Sequence, residues 1–425
     1  MPDLQPTFLE ATATALLVVA VVHTFSTKFF ARLSHSDGAH AGLWHLLGEV
    51  EAVFGFWALV LVLAIFAADG RAAAVRYLQG RDFTEPMFVF AIMVIAASRP
   101  VLHFAGIIVR LAAAALPVDR ALATTFVSLS VVPLLGSFIT EPAAMTLAAL
   151  MLRRSVFSGP TTARLKYAIV AVLFVNVSIG GVLTPYAAPP VLMVAAKWHL
   201  TIPHMLSTFG WRAALAVFVN AALLVFLFRR QLAAAERRGA DAREVPSVPP
   251  ALVAVHLAFL VAVVAFAHHP AVFLGVFLFF LGTAEAYRRH QDRLVLREGL
   301  MVAFFLAGIV TLGGYQSWWL APLLAKLTPT ELYFGATALT AVTDNAALTY
   351  LGSLAGETTE AFRYALLAGA VTGGGLTVIA NAPNPAGYAI LRDRFTDGSI
   401  SPGWLFLSAL APTAVAIVAF GSGMP

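Results

Sequence analysis

Apolar blocks of about 17–25 residues, the length a helix needs to cross a bilayer, recur from one end of this chain to the other. They predict spans at about 8–25, 46–67, 84–98, 100–116, 166–197, 209–228, 251–267, 271–287, 298–313, 364–391 and 402–420. Two more apolar stretches, about 122–152 and 329–354, share an eight-residue phrase. The first copy is Thr140-Glu141-Pro142-Ala143-Ala144-Met145-Thr146-Leu147, the second Thr343-Asp344-Asn345-Ala346-Ala347-Leu348-Thr349-Tyr350. Each copy has an acid at its second position. A carboxylate at bilayer depth is costly, which makes each one a functional candidate. We read the two stretches as re-entrant hairpins that enter and leave on one side.

Loop charge fixes the layout. With the N-terminus cytoplasmic, cytoplasmic segments hold 19 of the 27 basic residues and outer segments hold seven, Lys28, Arg32, Arg99, Lys197, Arg212, Lys326 and Arg363, with Arg110 left inside a span. That imbalance fits the positive-inside rule, and Trp318 and Trp319 fall at the outer interface. The layout implies an all-α polytopic membrane protein with an inverted-topology repeat. Residues 1–45 are an extra span and outer loop, 46–228 the first repeat, 229–250 a cytoplasmic linker and 251–420 the second repeat. The first block has no Lys or Arg before it and no small-residue cleavage site after it, so it reads as a retained span.

Each hairpin is followed by a span broken at its middle. One reads Gly180-Gly181-Val182-Leu183-Thr184-Pro185-Tyr186-Ala187-Ala188-Pro189-Pro190, the other Gly374-Gly375-Leu376-Thr377-Val378-Ile379-Ala380-Asn381-Ala382-Pro383-Asn384-Pro385. Proline removes a backbone donor and clashes with the preceding turn, so paired prolines unwind a helix. Unwound backbone at membrane depth is tolerated against protein or a wet cavity, where its carbonyls can ligate a cation. Thr184, Asn381 and Asn384 add oxygens there.

The chain is 60% hydrophobic and 12% charged, against roughly a quarter charged in soluble proteins. Its net charge of +5 sits in loops and is no nucleic-acid signal. Without cysteine, disulfides and thiolate metal sites are excluded. No nucleotide loop, serine triad or HExxH occurs, so neither an enzyme nor a cofactor is expected. His35, His40 and His45, and the His268-His269 pair, lack metal-ligand spacing. Thr146 and Thr349 either back-bond to their own helices or ligate. Asn381 and Asn384 either cap a broken helix or bind. Glu49 and Glu51 suit interfacial solvation or a proton path. Arg110 either pairs with Glu141 or Glu49 or snorkels, and His103 shares its face. His23 reads as a buried polar contact.

The hairpin followed by Gly-Gly-x-x-Thr-Pro-x-x-x-Pro-Pro resembles the ion transporter superfamily. Thr140-Glu141-Pro142-Ala143-Ala144, Thr343-Asp344-Asn345-Ala346-Ala347 and Asn381-Ala382-Pro383-Asn384-Pro385 together resemble the family called putative sodium/proton antiporters, over roughly 45–420. The dicarboxylate branch carries Ser-Asn-Thr at its hairpin tips, where this chain has acids. The resemblance implies alternating access by a rigid-body shift and a homodimer in a bacterial inner membrane. An acid in a low-dielectric site holds a proton near neutral pH, and a sodium ion on the same oxygens expels it. The expected cation site is Asp344, Asn345 and Thr343 with Glu141 and Thr140, completed by Thr184, Asn381 and Asn384. Asp344 and Glu141 carry the proton, and sodium is cargo rather than cofactor. The rival reading is a proton- or sodium-coupled carrier of a small anion, for which Arg110 is the candidate cationic partner.

Overall fold

The computed structural model describes residues 5–33, 41–159, 161–236, 248–356, 358–395 and 398–424. His35, His40, Arg237, Arg238, Arg243 and Pro246 lie outside them, as do the side chains of Lys28, Arg32, His45 and Glu51. The described residues form helices and no strands. The first group is α1 Phe8–Leu33, α2 Ala41–Leu47, α3 Val50–Gln79, α4 Thr84–Ala96 and α5 Arg99–Ala114. The first hairpin is α6 Arg120–Leu129 and α7 Val131–Ile139, returning as α8 Glu141–Arg154. Then come α9 Ala163–Gly180, α10 Pro189–Ala195, α11 Ile202–Met205 and α12 Trp211–Glu236. Past the linker lie α13 Pro250–Ala265, α14 Pro270–Ala286, α15 Leu296–Gly313 and α16 Ser317–Leu324. The second hairpin is α17 Pro329–Thr340 and α18 Asn345–Ser353, followed by α19 Glu360–Gly373, α20 Asn384–Leu391 and α21 Pro402–Gly421.

Both broken spans are present: α9 and α10 are separated at Gly181–Ala188, α19 and α20 at Gly374–Pro383. Hydroxyl caps set several starts. Thr162 accepts from the Leu165 amide, and Thr328 forms a capping box with Glu331. Six described helices are long and apolar enough to span a membrane, seven if α4 and α5 count together, so the protein is multi-pass.

Two apolar cores are built. One surrounds α9, α12, α19, α21 and the hairpin arms. At its centre α9 crosses α19, where a Cβ on Gly375 would lie 2.3 Å from the Val175 Cα, so only glycine permits the approach. Asn176 donates to the Leu129 and Val217 carbonyls and accepts from Asn220, tying three helices together. The other core gathers α1, α3, α4, α13, α14 and α15. His23 is indeed a buried helix contact: Trp57 donates to its Nδ1 at 3.0 Å, and its Nε2 lies 3.0 Å from the Leu47 carbonyl. Ala143 and Ala346, beside the hairpin tips, belong to this second core.

The charge-based layout fails in one place. It makes 84–98 and 100–116 two spans that reverse direction, but α4 and α5 meet at a bend of 67°. The chain leaves sideways rather than turning back. α5 buries a single stripe, Val101, Ala105 and Val109, and exposes Arg110. Glu49 and Arg297, expected on opposite faces, form an ion pair, and Arg99 lies 4.0 Å from Asp292. α3 and α15 run the same way, with Phe54 edge-on to Phe305 and Gly308 backed onto Gly55. So do α4 and α14, through Phe88–Phe273 and Phe90–Phe277. α1 packs on α3 and α15 as α13 packs on α14 and α4.

The cysteine-free chain allows a direct check. A Glu49→Cys/Arg297→Cys pair should be bridged by a short bis-maleimide, and Glu49→Cys/Gln316→Cys should not. The reverse pattern restores the charge-based layout.

Candidate functional site

The first hairpin turns at Thr140, whose φ of 71° is unusual for a residue with a Cβ. Such a residue stores about 1–3 kcal/mol of strain and persists when its surroundings hold it. The turn makes Glu141 the first residue of α8, with Pro142 in the first turn where its missing N–H costs nothing. Glu141 is 0% exposed. Its Oε2 accepts from Asn381 Nδ2 at 2.8 Å, while its Oε1 has no protein partner. The partial positive charge at the start of α8 favours an anion there.

The second tip differs. Asp344 caps α18, its Oδ1 accepting from the Ala346 and Ala347 amides at 2.8 and 3.1 Å. It is half-buried, bordered by Phe54, Phe305 and Ile379, and near enough for its charge to act on Glu141. Thr343 donates to the Leu339 carbonyl of its own helix. Asn345, the first residue of α18, is fully buried, and both of its amide heavy atoms lack a protein partner.

Helix starts and packing thus pair Glu141 with Asn345, one position off the match made by residue identity. A Cβ on Gly181 would meet the Glu141 carboxyl, and one on Gly374 would meet the Asn345 amide. Eight residues earlier, Gly180 lies against Pro133 as Gly373 lies against Thr337.

The breaks are tied to the hairpins. Ser137 Oγ donates to the Gly180 carbonyl and accepts from the Leu183 amide, and Thr184 donates to the Ser137 carbonyl. Thr377 donates to the Ala341 carbonyl at 2.9 Å. Asn384 Nδ2 donates to the Gly374 and Thr377 carbonyls, both at 2.8 Å, so it caps the second break while its Oδ1 stays unpaired. The Asn345 amide donates to the Ala380 carbonyl. Residues 380 and 381 therefore hold both tips at once.

Five buried oxygens here have no protein donor or acceptor: Thr140 Oγ1, Glu141 Oε1, Asn345 Oδ1, Asn381 Oδ1 and Asn384 Oδ1. Each unpaired buried polar group costs about 1–3 kcal/mol. A carboxylate, amide and hydroxyl oxygens suit a hard cation. No group of three His, Cys, Asp or Glu side chains occurs among the described residues. Thr146 and Thr349 donate to their own helices, to the Pro142 and Asn345 carbonyls. Glu49 pairs with Arg297, and Arg110 is exposed on α5. Sequence reasoning missed Ser137 and Ser178, which bridge helices through the Gly180 and Val371 carbonyls; a serine in an apolar helix carries no signal of its partner.

Two cavities approach from opposite ends of α4. One of about 300 Å³ runs from Glu49, Arg297 and Glu298 past Met93 to Pro142 and Ala382, the neighbours of Glu141 and Asn381. The other, about 270 Å³, begins between Glu85 and His268 and reaches Pro185 and Tyr186 at the first break.

A family model described as "Putative Na+/H+ antiporter" matches residues 8–421. No curated protein matches the chain. Among solved structures, the Alcanivorax borkumensis YdaH transporter is 14% identical, with 88% of this chain and 96% of that chain covered and a TM-score of 0.48.

Proposed function

The chain belongs to the family described as "Putative Na+/H+ antiporter", and from that premise we propose that it exchanges sodium, or another monovalent cation, for protons across a bacterial inner membrane. The observation that carries this reading is the fully buried, unpaired Oε1 of Glu141, together with unpaired buried oxygens on its chain neighbour Thr140, on its hydrogen-bond partner Asn381, and on Asn345 and Asn384 at the second tip and break. Glu141 holds the proton or the cation, never both. Thr140, Asn345, Asn381 and Asn384 supply neutral oxygens when the cation is present. Asn381 keeps the carboxyl aimed through its bond to Oε2. Asp344, first choice from sequence, acts as the cap that fixes the second tip and as a nearby charge; Thr184 and Thr343 hold backbone.

Exchange follows from competition for one carboxyl. A cation beside it favours the ionised form and releases the proton. Access alternates as the re-entrant hairpins and broken spans shift against the core of α1, α3, α4, α13, α14 and α15. The two cavities, one at each end of α4, support an access route from each face. The packing symmetry supports an inverted repeat that begins with α1 rather than after it, α1, α3 and α4 answering to α13, α14 and α15. With α5 lying along the inner face and the N-terminus outside, 20 of the 27 basic residues fall inside and seven outside. A homodimer remains part of the reading. The anion-carrier alternative lacks a buried cationic side chain at the site, since Arg110 is exposed.

Reconstituted in vesicles with an imposed pH gradient, the protein should dissipate that gradient on addition of sodium, lithium or potassium salts and not of choline. Silence to every monovalent cation across a broad pH range defeats the exchanger reading.

A further inference from the structure

A cavity of about 420 Å³ lies apart from the cation site, where the end of the first broken span meets the start of the second. Trp198, Phe209 and Tyr364 line it, with His204 and Arg363. Phe209 stacks on Tyr364 at 5.1 Å. The Arg212 guanidinium borders it, 5.8 Å from the Tyr364 ring and against Gly423. Lys197 lies close enough to Arg363 for the two charges to act on each other.

Among the described residues these three cations hydrogen-bond only to neutral oxygens. Arg363 Nε donates to Thr358 Oγ1 at 2.9 Å, Arg212 to Ser422 Oγ and the Thr208 carbonyl, and Lys197 to the Ser353 carbonyl. None takes part in the ion pairs formed among the described residues. Glu360, the acid on the lining, is exposed. Each guanidinium has five N–H donors, so unused donors remain beside the cavity. The chain concentrates basic residues on the opposite face, yet three of the seven on this face meet here. Ile202, Leu206 and Trp211, on the same stretch of chain as His204, Thr208 and Phe209, are exposed and add an apolar border.

We propose that this cavity binds a phosphate-bearing anion, presented by the headgroup of an acidic phospholipid. Guanidinium forks match phosphate oxygens, and the aromatic walls receive the glycerol and upper acyl carbons. Because the cavity is walled by the segment that follows the first broken span and by the first turns of the second, an occupant ties the two together. The inference does not depend on the exchanged ion.

The test is thermal unfolding of the purified full chain in a neutral detergent, with phosphatidylglycerol, phosphatidylcholine or inorganic phosphate added. Phosphatidylglycerol should raise Tm by several degrees and phosphatidylcholine should not. The Arg212→Gln/Arg363→Gln variant should lose at least half of that rise, and Arg288→Gln/Arg289→Gln, on the other face, should keep it. A matching rise with inorganic phosphate supports the site with a free oxyanion as sufficient ligand; a rise with phosphatidylglycerol alone supports the headgroup as its source. If the double variant keeps the full rise, or neither phosphatidylglycerol nor phosphate moves Tm, or phosphatidylcholine does as well, the proposal is overturned. Should the double variant not fold, Arg363→Gln alone is examined by native mass spectrometry. It should retain one phosphatidylglycerol fewer than wild type, and equal retention rejects the site.

Discussion

Glu141→Gln removes sodium-dependent proton movement from reconstituted vesicles, by roughly two orders of magnitude or more, while the purified protein unfolds near the wild-type temperature. Glutamine has the volume of glutamate, so the packing against Gly181 survives. Its amide oxygen still accepts from Asn381 Nδ2, the bond that aims the side chain. What it lacks is a second protonation state and a negative charge. Taking one partner from a buried charge pair costs about 3–5 kcal/mol, and every 1.4 kcal/mol is about tenfold. Asp344→Asn provides the contrast. Its Oδ1 accepts from two backbone amides, and asparagine is also a good cap, so the tip of α18 should hold. Flux through that variant should fall by less than about tenfold, within the roughly 1 kcal/mol that a weakened cap and a lost nearby charge supply. Wild-type exchange in Glu141→Gln removes Glu141 from the mechanism. Abolished exchange in Asp344→Asn beside intact exchange in Glu141→Gln returns the leading role to Asp344.

Much of the architecture was legible in the chain. Both breaks follow from Gly-Gly and Pro pairs, and both hairpins from a repeated acid-bearing phrase. What misled was local. The 100–116 block has a span's length and apolarity, and its 67° bend away from α4 is a tertiary property of the packing around Ser98 that the sequence does not mark. Because topology is a parity, the reading of that one block decides the side given to everything before it. The two tips also differ in a way that the sequence does not mark. Matching acid to acid aligns Glu141 with Asp344, yet a short acid caps its own helix while a longer one at the first helical position reaches across to Asn381. The positive φ of Thr140 had no marker, since glycine is the residue that advertises such a turn.

Gly181→Ala should reduce exchange by about tenfold to a hundredfold and raise the KM for sodium, with the fold retained. A Cβ at this position would lie 2.3 Å from Glu141 Oε1, 2.6 Å from its Cγ and 2.9 Å from its Cδ. The end of a surface glutamate would swing away at little cost. Glu141 is enclosed on every side and held through Oε2, so it can yield only by leaving Asn381 or by pushing α8 from the first break. Forced overpacking of this kind costs about 1–3 kcal/mol, which sets the expected range of loss. Because the added methyl displaces the carboxyl rather than deleting it, the loss should fall on cation affinity, unlike that of Glu141→Gln, which should fall on turnover. Gly335→Ala is the matched control: nothing lies within 4 Å of a Cβ there, it sits inside α17, and alanine favours a helix. That control should exchange at the wild-type rate. Equal KM values for Gly181→Ala and wild type would mean that the carboxyl does not bind the cation from the position it occupies beside Gly181.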